Sequence, residues 1–218
     1  MTIYVLAEGP SERAFLEKWV PRLGLNHCVN VHPHQGKGSL PSDFAVAPPR
    51  YKRGLLDQLP AKLRGFADAL EPSTDSIVVL VDADSDDVLQ LKKEILAVAR
   101  DCCPTLNVHV CIAQEETEAF YLGDLAALEN AYPKCDMEKA RRYVPDSVCG
   151  TWELFGTIVD DDGGNKVAWG TQMGRYLTVV GGRSRSASFN TLLTGIRALD
   201  TLPTHVAKPK RKYRHPAK

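Results

Sequence analysis

The sequence predicts an α/β fold: a parallel sheet flanked by helices, followed by a mainly helical C-terminal portion. Three observations carry this. Strand-like runs alternate with segments of helical period up to about Leu122, the order that builds a parallel sheet through right-handed crossovers. The run Ile77-Val78-Val79-Leu80-Val81 is apolar on both faces, as a strand covered by helices on both sides must be. Beyond Leu122 the strand-like runs stop, and short amphipathic stretches joined by polar, Gly-rich loops replace them.

Thr2–Ala7 (TIYVLA) reads as the first strand. Glu8-Gly9-Pro10-Ser11 follows, then a helix presenting Phe15, Leu16, Trp19, Val20 and Leu23 on one face; either Ser11 caps it or Pro10 occupies its first turn. Val29–His34 reads as the second strand. Gly36–Pro49 is rich in Gly, Pro and Ser and long for a connection in a compact domain, which marks it as a functional candidate. Tyr51–Leu70 has helical period interrupted at Pro60. Ser76–Asp82 is the third strand. Asp86–Cys103 is a helix with Val88, Leu89, Leu91, Ile95, Leu96 and Val98 on its apolar side. Asn107–Ala113 makes the fourth strand, and Glu115–Leu122 follows it as a helical stretch. Asp124–Tyr132, Met137–Val144, Ala168–Val180 and Phe189–Leu199 read as short helices, and Lys208–Lys218 (KPKRKYRHPAK) as a basic tail. The expected organisation is an α/β core over 1–122, a helical extension packed on it over 123–207, and a tail over 208–218.

With 218 residues, 44% of them apolar, the chain has enough apolar surface for a sizeable core. Lys+Arg and Asp+Glu both number 27, so no global basic field advertises nucleic-acid binding, and such binding must come from local patches. The six cysteines form no C-x-x-C pair and, with no signal peptide, read as reduced thiols of a cytoplasmic protein. The spacing of Cys102-Cys103 and His109-x-Cys111 does not suit structural zinc. No apolar run approaches the ~18 residues of a membrane span.

Acidic residues cluster after three of the four strands: Glu8, then Asp82-Ala83-Asp84-Ser85-Asp86-Asp87, then Glu115, Glu116 and Glu118. In a parallel sheet these strand ends share the carboxyl edge, where open α/β sheets bind ligands. Clustered carboxylates repel one another, and a hard, oxygen-seeking cation such as Mg²⁺ relieves that cost. Asp82 and Asp84, two apart, share one side if the chain stays extended; Asp86 falls at the start of the next helix. The bland alternative is a capping turn. An EF-hand loop fits poorly, because Asp87 stands where Gly is required and Lys93 where the bidentate Glu belongs. A phosphatase with an Asp nucleophile carries its D-x-D after the first strand, not the third. Asp160-Asp161-Asp162-Gly163-Gly164-Asn165 reads as a turn.

Glu8 after the first strand and Asp82-x-Asp84 after the third resemble the signature of the TOPRIM domain shared by topoisomerases, primases and OLD-type nucleases. More closely, the chain is similar to small bacterial TOPRIM-like proteins of undefined function, often encoded beside an ABC/SMC-type ATPase. The matching pieces are Glu8-Gly9-Pro10-Ser11-Glu12, His34-Gln35-Gly36-Lys37-Gly38, Val81–Asp86, Glu116–Asp124 and Arg185-Ser186-Ala187-Ser188-Phe189. Phe120 departs from them where Trp is more frequent. The resemblance implies a Mg²⁺- or Mn²⁺-dependent nuclease acting on DNA or RNA. Glu8, Asp82 and Asp84 would be its catalytic metal ligands, with Asp86, Glu116 and Glu118 as further ligands or supports around them. Glu8 would alternatively act as general acid/base. The resemblance also implies an ATPase partner and a role in anti-phage defence.

Lys37 in the Gln35–Ser39 loop, Arg183 and Arg185 before a helix start, and the tail with Tyr213 are the candidate phosphate contacts. The Lys37 loop is not a P-loop, since Val31 and Gly38 stand where that motif needs Gly and Ser/Thr. A topoisomerase would need a nucleophilic Tyr on a separate DNA-gripping domain, for which the chain has no room. Two other readings compete: a non-catalytic TOPRIM-like binding subunit of an ATPase complex, and a phosphatase of small phosphate esters.

Overall fold

Four parallel strands, β1 (Thr2–Ala7), β2 (Cys28–Pro33), β3 (Asp75–Asp82) and β4 (Asn107–Ala113), pair in the order β2-β1-β3-β4. The computed structural model describes residues 2–147, 150–161 and 164–201. The tail Lys208–Lys218, Cys149, and Asp162-Gly163 of the acidic turn lie outside the described residues. The chain steps from β1 outward to β2, then returns across β1 to β3. The sheet therefore reverses direction between β1 and β3, and the crevice at that reversal is the favoured ligand position of an open α/β sheet. Glu8 and Asp82 leave the two strands that flank it.

The helices are α1 (Pro10–Trp19), α2 (Leu55–Ala69), α3 (Val88–Cys102), α4 (Glu118–Gly123), α5 (Leu125–Ala131), α6 (Met137–Arg142), α7 (Thr151–Val159), α8 (Lys166–Gly174) and α9 (Ala187–Asp200). Strand alternation divides the core between the two sheet faces. Leu6, Ile77, Val79 and Val81 pack with α2 and α3. Ile3, Val5, Val78 and Leu80 pack with α1 and the C-terminal helices. Trp19, Phe120, Tyr121, Phe155, Trp169 and Phe189 belong to that second cluster, so the residues after 122 complete the core of the sheet.

Helix α8 meets α1 through Gly170 and Gly174. A Cβ at either would lie 2.5 Å from a backbone oxygen of α1, that of Ser11 or of Phe15. The crossing exists because no side chain stands there. Gly174→Ala is expected to destabilise the protein by about 1–3 kcal/mol through forced separation of these helices. A thermal melt should show a fall of several degrees; an unchanged melting temperature would mean the contact is loose.

Several sequence expectations need correcting. Of the two expected starts of α1, Pro10 in the first turn is the one observed; Gly9, not Ser11, is the N-cap. Pro60 does not divide α2, which runs unbroken with Pro60 buried inside it. Leu89 points to solvent, 79% exposed, and is not part of the apolar side of α3. Asp87, not Asp86, caps α3, accepting from the Gln90 N–H at 2.7 Å. Helix α4 starts at Glu118 rather than Glu115. Helix α7 was not anticipated, because TWELFGTIV is rich in β-branched and aromatic residues of modest helix propensity. Burial of Phe155 against Trp169, with ring centroids 5.1 Å apart, overrides that preference.

Candidate active site

The acidic residues separate into a largely buried group, in which Glu8 and Asp82 are half-buried and Glu12 and Glu118 buried, and an exposed group. In the buried group, the Asp82 N–H donates to Glu8 Oε1 at 2.7 Å, and the Thr117 hydroxyl donates to Asp82 Oδ1 at 2.9 Å. Glu12, one helical turn beyond Glu8 on α1, and Glu118, the first residue of α4, are buried close enough to raise the proton affinity of Asp82. Burial, resisted by the Asp82 N–H and helped by Glu12 and Asp84, raises the Glu8 carboxyl to about 7. Burial likewise raises Glu118 to about 7, against the pull of Lys166. Asp82 is driven well above the usual carboxylate range by burial, then by Glu8, Glu12 and Glu118. Tyr121 places a buried hydroxyl among these acids, and it has no hydrogen-bond partner among the described residues.

In the exposed group, Asp84 stands at φ +51° and the Asp86 N–H donates back to the Ala83 carbonyl at 2.9 Å. The chain turns here instead of staying extended, so Asp82 and Asp84 do not share a side as the two-residue spacing suggested. Lys37 Nζ closes the turn, donating to Ala83 O at 2.7 Å and pairing with Asp84 at 3.1 Å and Asp86 at 2.7 Å. Burial pulls the Lys37 ammonium down, but Asp86 and Asp84 outweigh it and hold it above its ordinary value. Lys37, expected to meet a phosphate, here bridges Asp84 and Asp86 and offsets part of their charge.

The third acidic segment also divides. Glu115 is buried and accepts from the Tyr143 and Thr151 hydroxyls, each at 2.9 Å, which ties β4 to α7. Glu116 accepts the Trp152 N–H at 2.9 Å and lies 3.9 Å from Lys166 Nζ. Only Glu118 reaches the buried group. Arg185 donates to the carbonyls of Tyr143, Leu122 and Ala140, clamping three segments together. The start of α9, expected to bind an external anion, receives an internal one. Asp146 accepts the Ala187 and Ser188 N–H groups at 2.7 and 3.1 Å and the Ser186 and Ser188 hydroxyls at 3.0 and 2.8 Å. Arg183 is exposed beside it.

Residues 7–197 match a protein family described as a domain of unknown function, DUF4276. The chain belongs to the DUF4276 family. No curated protein and no solved structure gives a significant match. The match to DUF4276 begins one residue before Glu8 and takes in every acidic candidate together with Lys37, Arg183 and Arg185, but not the basic tail.

Among the described residues, no His, Cys, Asp and Glu side chains form a ready-made coordination sphere of three or more. The donor chemistry of this DUF4276 domain still fits Mg²⁺ or Mn²⁺. Mg²⁺ is commonly bound by one or two carboxylates and several waters, which Glu8 and Asp82 satisfy. Carboxylates with raised proton affinity are groups whose charge lacks a counter-ion, and a divalent cation supplies one. Glu12 and Thr117 were not singled out as site residues from the sequence. The Glu8–Glu12 interval of four, carrying Glu12 onto the first turn of α1, was the available signal for the former. Thr117 had none, because its bond to Asp82 joins β3 to the β4–α4 turn. Among the described residues, no helix is long and apolar enough to cross a membrane.

Proposed function

We propose that this protein is a TOPRIM-type nuclease that hydrolyses phosphodiester bonds of DNA or RNA with Mg²⁺ or Mn²⁺. One observation supports this above the rest: half-buried Glu8 and Asp82 arrive from adjacent parallel strands at the point of sheet reversal, joined by a 2.7 Å hydrogen bond and flanked by two buried acids, Glu12 and Glu118. Glu8 and Asp82 would hold the ion, with Glu118 and Glu12 beside them. When bound, the ion supplies Lewis acidity at a phosphoryl oxygen and lowers the pKa of water. With an affinity near neutrality, Glu118 is suited to take a proton from an attacking water or return one to a leaving oxygen, a role that Glu8 would take only in place of holding the ion. Thr117 fixes the Asp82 carboxylate, and the Asp82 N–H fixes Glu8, so their oxygens are oriented before substrate arrives. Lys37, released from Asp84 and Asp86, would neutralise a phosphate entering over the turn. The ATPase partner, the anti-phage role and the cytoplasmic setting belong to this reading and rest on the resemblance and the composition.

One observation favours a second reading. The Lys37 bridge occupies the carboxylates of both Asp84 and Asp86 internally, as a non-catalytic TOPRIM-like subunit of an ATPase complex would tolerate. The experiment is incubation of the purified chain with labelled plasmid, single-stranded DNA and total tRNA. Metal-dependent cleavage of at least one polymer is expected, with none in chelator and no turnover of simple aryl phosphates. Intact polymers in both metals favour the binding subunit, and rapid aryl phosphate hydrolysis favours a phosphatase.

A further inference from the structure

On the β2 side of the acidic site, a cleft of about 580 Å³ opens between the end of β2, the following loop and α2. Its polar lining is His34, Gln35, Arg50, Arg53, Gln58 and Lys62, and Pro10, two residues after Glu8, forms one wall. The cleft contains no acidic residue, and no ion pair joins Arg50, Arg53 or Lys62 to an acid among the described residues. His34 is 8% exposed; its Nδ1 donates to the Ala7 carbonyl at 2.8 Å, and its Nε2 is buried without a partner among the described residues. Burial lowers both His34 and Lys62, and for His34 the nearby Lys62 and His32 lower it further. His34, neutral with its proton on Nδ1, leaves Nε2 as an acceptor and is not one of the cations. Arg50 and Arg53 are exposed and Lys62 is half-buried, three positive groups gathered with no acid among the lining residues, an arrangement that an anion relieves.

The loop that carries Arg50 and Arg53, and the start of α2, the helix of Lys62, are held to the acidic site by backbone bonds. The Gly36 N–H donates to the Glu8 carbonyl at 2.9 Å, and the Gln35 N–H to the Arg53 carbonyl at 3.1 Å. The next two α2 amides, of Leu55 and Leu56, donate to the Gly36 and Lys37 carbonyls. The cleft and the buried acids therefore lie on either side of β1 at one sheet edge, about one or two strand spacings of ~4.8 Å apart. A ligand reaching from one to the other must be longer than a single phosphate ester. Tyr51, 81% exposed between Arg50 and Arg53, offers a stacking face for an unpaired base.

We infer that the Arg50–Arg53–Lys62 cleft grips the phosphates of a single nucleic-acid strand running across the sheet edge toward Glu8 and Asp82. This rests on the nuclease reading for the direction of the strand, but strand binding is measurable without cleavage.

The test is fluorescence anisotropy of a labelled oligo(dT) with the full chain in chelator, over a series of salt concentrations. Arg50→Ala/Arg53→Ala/Lys62→Gln removes the charge, and Lys210→Ala/Arg211→Ala/Lys212→Ala is the matched control in the tail. Circular dichroism confirms that each variant is folded. The cleft variant is expected to bind at least about tenfold more weakly and to lose about two from its log–log salt slope, near 0.7 for each phosphate contact. Tyr51→Ala should weaken binding about fivefold or more with the slope unchanged. The inference is overturned by absent binding in the parent, by loss confined to the tail variant, or by inorganic phosphate competing as well as the strand at equal phosphate concentration. Binding lost in the cleft variant with no cleavage in any metal would remove the nuclease reading alone. Cleavage by a cleft variant that binds like the parent would remove this inference alone.

Discussion

Asp82→Asn is expected to raise the melting temperature in chelator at pH 8 while abolishing metal-dependent cleavage. Its carboxylate sits with Glu8, Glu12 and Glu118, and burial with that repulsion opposes its charge. The amide keeps the shape and still accepts the Thr117 hydroxyl at Oδ1, but it carries no charge to desolvate. A gain of a few degrees follows from removing a repulsion of order 1 kcal/mol in a domain of this size. Activity should fall by more than about 100-fold, beyond the loss typical of residues that only support a ligand. The metal-induced rise in melting temperature should vanish with it. Lower stability with unchanged cleavage would make Asp82 a structural acid and remove it from the site.

The second large effect is a stability that falls as pH rises through the mildly acidic range. Glu8 and Glu118 titrate near 7 in the folded chain, against an ordinary value of 4.5. Between those limits the folded state holds protons that the unfolded state has released. Stability from these groups is therefore complete below about 4.5, declines as pH rises, and is lost above about 7. Asp200, held below its usual range mainly by His27 and the Asn26 and His27 amides against its burial, acts in the opposite sense. Its contribution is present above its unfolded value and lost as pH falls below it. A divalent cation competes with the protons at Glu8 and Asp82, so its stabilising effect should be larger at pH 8 than at pH 5.5. Thermal melts in chelator and in Mg²⁺ or Mn²⁺ across pH 4.5–8 measure both. A flat chelator profile would show that Glu8 and Glu118 are solvated.

The strands were legible because each carries its own periodicity. The continuous apolar run of β3 marks a strand buried on both faces, and the acids after β1, β3 and β4 fall on one edge once those strands are parallel. The same local signals explain the failures. Helix α7 has a strand-like composition, and only its docking against Trp169 and Tyr121 makes it helical. Arg185 beside a helix start looked like an anion contact. The structure gives its guanidinium to three carbonyls and gives that helix start to Asp146, whose position forty residues earlier was unremarkable.

By itself the sequence determined the parallel α/β class, the edge on which the acids gather, and the candidacy of Glu8 and Asp82. Backbone periodicity and strand polarity are properties of short segments, so they survive without knowledge of the rest. Tertiary structure alone decided that Asp84 and Asp86 turn outward to Lys37, that Glu12 and Glu118 join Asp82 in its pocket, and that Arg50, Arg53 and Lys62 line one cleft. Those outcomes depend on which distant segments pack together. Desolvation and charge then set each side chain's partner, and neither is a property of the segment that carries it.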